Sequence, residues 1–218
     1  MSRLSNIFAI LLGLMMYSSG QANDSINIAI GKFSGSSLDG WKEKSFSGST
    51  NYRIVTVDDK VVLNAESNGA ASGLFYEKEI DLLKTPVINW SWKVDKVLKD
   101  AKETTKKGDD YPARVYVIFS GGIFFWRTRA INYVWSNNQK IGTTWPNAYT
   151  GNAQMIAIRS GEGQAGQWIN EKRNIREDYK QLFGEDIESA DAIAIMTDTD
   201  NTGGHAVAYY GDIYLTSH

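Results

Sequence analysis

Cysteine is absent from all 218 residues, which removes disulfide staples, zinc ribbons, thiol nucleophiles and lipid-modified cysteine anchors. Three prolines beside 20 glycines exclude collagen-like and proline-rich architectures. Histidine is nearly absent too: His205 and the terminal His218 are the only two. With no Gly-x-Ser-x-Gly elbow, serine-histidine-aspartate and zinc hydrolysis lack their residues. Neither sign of charge dominates, with 23 basic and 25 acidic side chains, so no nucleic-acid partner is expected. The apolar run at residues 7–17 falls short of the roughly 20 residues a membrane-spanning helix needs.

That run has a different meaning. Arg3 precedes it, and Ser18-Ser19-Gly20-Gln21-Ala22 supplies small residues after it, the pattern of a secretory signal peptide over residues 1–22. The rest, 23–218, is then expected to be a single exported domain, periplasmic or secreted from a bacterium, with no transmembrane anchor after cleavage. A cysteine-free exported chain fits that compartment better than a eukaryotic exterior.

The body of the chain is 42% apolar and 12% aromatic, and β-rich runs recur between glycine, asparagine and aspartate clusters. They fall at 26–33, 52–57, 61–65, 73–80, 87–94, 113–120, 130–135, 153–159, 167–173, 190–198 and 206–216. This spacing predicts an all-β jelly roll or β-sandwich. Asp58-Asp59 and Gly121-Gly122 look like hairpin turns. Ile175, Tyr179, Leu182 and Phe183 repeat at helical spacing and predict one short helix over 175–183. Asn174 is placed to cap its start and Gly184 its end. Residues 95–110 are dominated by charge and read as a solvated excursion over the sandwich.

Alternation sorts the candidate chemistry. Ile88, Trp90, Trp92 and Val94 share one strand face and are expected in the core, where each indole withdraws about 150 to 250 Å² from water. Val115, Val117 and Phe119 form another core face, which turns Arg114 and Tyr116 the other way, close after Asp109 and Asp110. Phe124, Phe125, Trp126, Arg127, Arg129, Tyr133, Trp135 and Trp145 crowd rings and guanidinium groups together, with Trp126 the residue expected in a cleft. If strand alternation runs on through 206–216, Tyr210, Asp212 and Tyr214 share a face. We therefore expect Asp109, Asp110, Arg114, Tyr116, Trp126, Tyr210 and Asp212 to bind a ligand.

The turn Asp198-Thr199-Asp200-Asn201-Thr202-Gly203-Gly204 is rich in oxygen, and Ca2+ is the cofactor such a turn admits. Asp198, Asp200 and the returning Asp212 are its candidate ligands. It is not an EF-hand, because Tyr209 stands where the bidentate glutamate belongs. The acids Glu77, Glu79 and Asp81 cluster along one run, but Lys84 stands where a glucanase strand of the Glu-x-Asp-x-x-Glu type needs its third acid.

Several blocks together carry a resemblance: Ala71-Ser72-Gly73-Leu74, Trp90-Ser91-Trp92, Gly108-Asp109-Asp110-Tyr111-Pro112-Ala113-Arg114-Val115, Asn132-Tyr133-Val134-Trp135, Thr197-Asp198-Thr199-Asp200-Asn201 and Tyr210-Gly211-Asp212-Ile213. The chain resembles the bacterial secreted family known as Domain of Unknown Function 3047 over residues 33–214. The resemblance implies an exported single-domain protein similar to galactose-binding-like or carbohydrate-module jelly rolls, and it supplies no catalytic residues. Function is left to three readings. The first is a non-catalytic module binding a glycan or other envelope ligand. The second is a carboxylate-dependent glycoside hydrolase or lyase in the same cleft, and the third is an envelope-assembly protein docking through Phe124, Phe125 and Trp126.

Overall fold

A computed structural model describes residues 26–99, 101–123 and 125–218; the signal segment proposed at 1–22, Phe124 and the Phe125 side chain lie outside the described part. In chain order the strands are β1 (Asn27–Gly31), β2 (Trp41–Ser47), β3 (Asn51–Val57), β4 (Lys60–Asn68), β5 (Ala71–Asp81), β6 (Val87–Val94) and β7 (Ala113–Phe119). They continue with β8 (Arg129–Ser136), β9 (Thr144–Pro146), β10 (Ala153–Ser160), β11 (Ile169–Asn174), the helix α1 (Ile175–Phe183), β12 (Ser189–Asp198), β13 (His205–Tyr210) and β14 (Ile213–Thr216).

The strands form two sheets. The first runs β1-β14-β6-β13-β4-β3, with β11 on the other edge of β6; the second runs β2-β5-β12-β7-β8-β10-β9. All pairings are antiparallel except β8 with β10. The fold is a jelly-roll β-sandwich with one short α-helix among the described residues. Its shared core takes Ile88, Trp90, Trp92 and Val94 from the first sheet and Val115, Val117, Phe119, Ile131, Tyr133, Trp135, Ile193 and Ile195 from the second. Trp90 stacks on Tyr133 at 5.4 Å, and Trp92 meets Trp135 edge-on at 5.8 Å. Burying one such indole contributes roughly 4 to 6 kcal/mol at about 25 cal/mol per Å².

Local chemistry explains the connections. Asp58 and Asp59 take φ of 51° and 60° in the two-residue turn between β3 and β4, as a primed hairpin requires. Asn174 accepts from the backbone N–H of Arg176 and Glu177 and donates to the Glu177 carboxylate (2.9 Å), while Gly184 closes the helix at φ 73°. The expected turn at Gly121-Gly122 is longer than a hairpin, since β7 and β8 are joined by residues 120–128 with a single 3-10 turn.

Two expectations need correction. Residues 95–110 are not simply solvated: Val97, Leu98, Ala101, Glu103, Asp109 and Asp110 are buried. The Glu103 carboxylate secures the segment by accepting from the backbone N–H groups of Asn137, Asn138 and Gln139 after β8. The run 206–216 is also not one strand. It breaks at Gly211, whose N–H bonds Ser91 O at 2.9 Å and where an added Cβ would lie 2.2 Å from Ser91 Oγ. Alternation is lost there, so Tyr210 is fully buried while Tyr214 is 37% exposed.

Candidate functional site

The second sheet has an outer face as well as a core face. Register pairs Arg114 with Met196 and Val134, Tyr116 with Ala194 and Asn132, Gly73 with Met196, and Ala71 with Asp198. Side chains directly opposite one another share a face, so these residues all turn away from the sandwich core. Where the segment before β7 and the loops after β9 and β12 rise around them they border a cavity of about 460 Å³, a size that accommodates small ligands. Arg114, Asn132, Met196, Asp198 and Asp109 form its buried floor, with Tyr116 half-buried beside them; Phe46 and Tyr149, each 56% exposed, stand at the rim with Asn147 and Asp200.

Arg114 organises this floor. Its guanidinium pairs with the Asp198 carboxylate, lies 4.0 Å from Asp109, and sits 4.8 Å and 5.6 Å from the ring centres of Tyr111 and Tyr116. Burying a charged group without a counter-charge costs several kcal/mol, and here the pair and the ring faces offset that cost. Asp198 also accepts the Tyr111 N–H at 3.3 Å, and Asp109 accepts both bonds offered by the Asn147 amide at 2.9 and 3.2 Å. Burial pushes Asp198 up to about 8, with Arg114 opposing and Asp110 and Asp109 reinforcing the rise. Burial likewise raises Asp109, opposed by Arg114 and Asn147, and raises Asp200, reinforced by Asp110.

The expected residues separate into groups. Asp109, Arg114 and Tyr116 line the cavity together with Asp198 and Asp200. Asp110 lies behind it: its two oxygens accept from the N–H groups of Asn201 (3.2 Å) and Thr202 (2.6 Å), so it braces the 198–204 turn. Tyr210 is a strut rather than a ligand contact. Its hydroxyl donates to Met196 O (2.9 Å) and accepts from the Arg114 N–H (3.2 Å), so the first sheet grips β7 and β12 beneath the site.

Two residues are elsewhere. Asp212, after the break at Gly211, accepts from the Ser34 N–H (2.8 Å) and hydroxyl (2.6 Å) and lines a separate polar hollow with Asn89, Asn170 and Lys172 on the first sheet. It joins neither the cavity nor Asp198, contrary to the expected convergence. Trp126, 58% exposed, borders another hollow with Arg129, Tyr179 and Glu185. Within the aromatic cluster Tyr133, Trp135 and Trp145 are buried.

The carboxyls of Asp110, Asp198 and Asp200 each place an oxygen within 4.8 Å of the others, close enough to hold a divalent cation such as Ca2+. Asp110 thus replaces Asp212 in the expected trio. The donor set fits such an ion only in part, because Asp198 is engaged by Arg114 and Asp110 by two backbone N–H groups.

The sequence reading missed Asn132, Asn147, Phe46 and Tyr149. Asn132 was within reach: Ile131, Tyr133 and Trp135 are core residues of β8, and the same alternation turns Asn132 outward beside Tyr116. Phe46 sits where the β2–β5 register shifts, and Asn147 and Tyr149 follow the three-residue strand β9, so no periodicity marked them.

A family model described as "Protein of unknown function (DUF3047)" matches residues 39–214. The chain belongs to the DUF3047 family. No curated protein matches it. Among solved structures, this DUF3047 chain is similar to the family 30 carbohydrate-binding module of a cellulosomal cellulase from Clostridium thermocellum, with 12% identity and a TM-score of 0.52, covering 88% of this chain and 98% of that one. An endoglucanase from Rhodothermus marinus is similar at 10% identity and a TM-score of 0.44, covering 88% and 98%. At such identities the likeness to the module establishes the fold. No helix among the described residues is long and apolar enough to cross a membrane.

Proposed function

We propose that this DUF3047 chain is an exported, non-catalytic binding module of the bacterial periplasm or exterior, which takes a glycan of the cell envelope in the cavity on the outer face of the second sheet. The observation that carries this reading is the combination, in one cavity, of two exposed rings at the rim, Phe46 and Tyr149, with buried polar side chains on the floor. A sugar ring has an apolar C–H face and a girdle of hydroxyls; rings cover the first, and amide and charged groups bond the second. The fold shared with a carbohydrate-binding module supports the same reading.

The engagement of two of the acids supports its non-catalytic character. Asp198 is paired with Arg114 and 2% exposed, and Asp110 faces backbone N–H groups, so neither is free to exchange a proton with a substrate. One observation favours the second reading, a glycoside hydrolase or lyase: the raised Asp198 and Asp109 together have the poise of a general acid. Release of reducing ends from a bound polysaccharide, abolished in Asp109→Asn, would establish that reading instead.

The test is native electrophoresis through gels holding hydroxyethylcellulose, galactomannan, xylan or mixed-linkage β-glucan, with added Ca2+ or with EDTA. At least one polymer retards the wild type, equally in both conditions because two of the three acids are already engaged, and Tyr149→Ala runs at least tenfold weaker in affinity. Free migration through every gel, with and without calcium, contradicts the proposal.

A further inference from the structure

Five buried side-chain polar atoms among the described residues lack a hydrogen-bond partner: Asn64 Oδ1, Trp90 Nε1, Arg114 Nε, Asn132 Oδ1 and Trp145 Nε1. Native proteins leave few such groups, and each calls for an explanation. Two of the five belong to Arg114 and Asn132, which line the outer-face cavity and are 3% and 1% exposed. Register places them on the same face of adjacent strands, since Asn132 lies opposite Tyr116 and Arg114 lies opposite Val134. They are therefore diagonal neighbours, about 7–8 Å apart at the backbone. Their other polar atoms are engaged: Asn132 Nδ2 donates to Met155 Sδ at 3.2 Å, and the Arg114 terminal nitrogens face Asp198, Met196 and Asp109.

We infer that Asn132 and Arg114 form a hydroxyl-reading subsite on the cavity floor, which selects a neutral sugar ring over a charged one. This rests on the glycan reading and names what the cavity selects. The open atoms are one acceptor, Asn132 Oδ1, and one donor, the Arg114 Nε–H. A hydroxyl both donates and accepts, so one hydroxyl or a vicinal pair satisfies both. A carboxylate can only accept, and would leave Asn132 open, so an acidic sugar has to seat a hydroxyl here and bring its carboxylate near the cavity's aspartates. An ammonium can only donate, and would leave Arg114 open. Charge sets the preference against acidic sugars: even with Asp198 holding a proton, Asp109 and Asp200 face a single guanidinium in this cavity. Discrimination of this kind is strong, because a ligand lacking the hydroxyl leaves buried polar groups unpaired.

The experiment uses the whole chain with Asn132→Leu, Asn132→Ala and Tyr149→Ala, the four neutral polymers above, and polygalacturonate as an anionic probe. Leucine matches asparagine in size and removes the open acceptor, so Asn132→Leu melts at or above the wild-type temperature. Its affinity for the neutral polymer that retards the wild type most falls at least tenfold, and polygalacturonate does not retard the wild type. Wild-type affinity in Asn132→Leu overturns the inference. So does preferential binding of polygalacturonate, or a loss of folding in both Asn132 variants, which would make the amide a structural group. The glycan reading is judged separately: it survives if Tyr149→Ala loses binding while Asn132→Leu keeps it, and both proposals fall if no polymer retards the wild type.

Discussion

The two faces of the second sheet are built from the same strands and differ in how they treat polar atoms. On the core face, Tyr133 donates to the buried Asp178 carboxylate at 2.8 Å and Trp135 Nε1 to Gly161 O at 3.2 Å; across the core, Trp92 Nε1 bonds Glu171 at 2.9 Å, and only Trp90 Nε1 stays open. On the outer face the charged pair Arg114–Asp198 is buried as deeply as those aromatics, yet Arg114 Nε and Asn132 Oδ1 are left unmatched in a cavity. The contrast teaches that burial alone does not distinguish a stabilising face from a binding one. What distinguishes them is whether the polar atoms are closed by the protein itself.

The largest effect expected from breaking this contrast lies on the core side. Trp92→Ala removes an indole packed on Trp90 and Trp135 and takes one donor from the Glu171 carboxylate that it shares with Arg159. It should cost about 3–5 kcal/mol, read as a lower urea midpoint. Glycan binding by the fraction that remains folded should be unchanged.

Next is the buried pair. Arg114→Met leaves Asp198 without its counter-charge, a change worth about 3–5 kcal/mol when the carboxylate must stay ionised. The cost depends on pH. Asp198 is held up to about 8 in the folded chain, whereas an unfolded aspartate titrates near about 3.9. The folded state therefore holds a proton that the unfolded state releases, and this group's contribution to stability declines as pH rises from about 4 to about 8. Losing Arg114 removes the larger of the two influences opposing that rise, the other being the Tyr111 N–H, so Arg114→Met is costlier at pH 8.5 than at pH 5. Asp198→Asn should flatten the wild-type slope over the same window. Urea unfolding at a series of pH values measures both; a wild type whose stability climbs through that window relative to Asp198→Asn would contradict the assignment.

The smallest effect on stability belongs to the rim. Tyr149 is 56% exposed, with its hydroxyl 3.2 Å from Lys106 O and 3.4 Å from Asn201 Oδ1. Tyr149→Ala should change stability by about 0.5 kcal/mol or less while losing most of the binding. A variant that loses stability and affinity in step would erase the distinction between rim and core.

Much of this was legible in the chain. Alternation alone put Trp90, Trp92, Val115, Val117 and Phe119 in the core and turned Arg114 and Tyr116 outward, because a period of two fixes the face whenever one face is strongly apolar. The helix with its caps at Asn174 and Gly184 was equally readable, since local hydrogen bonding decides both ends. The misses have physical causes. β2, Trp-Lys-Glu-Lys-Ser-Phe-Ser, is an edge strand whose mixed charges conceal its period, and β9 is only three residues long. Asp212 was misplaced because one crowded glycine, Gly211, interrupts what reads as a single strand. Asp109, Asp110, Asp198 and Asp200 lie together and Asp212 does not, and the division of labour among the four was not legible. Asp110 braces a turn and Asp198 balances an arginine, and only the three-dimensional register separates those tasks from ligand contact.

The account's central claim is that the outer-face cavity is where a neutral glycan binds. Backbone and side-chain amide shifts of the isotopically labelled chain, titrated with whichever neutral polysaccharide retards it most, test this directly. Saturable shifts gathered at Tyr116, Asn132, Asn147, Tyr149 and Asp200, including the Asn132 side-chain amide, are the predicted result. Shifts gathered instead around Trp126 or Asp212, with the cavity residues unmoved, would contradict it.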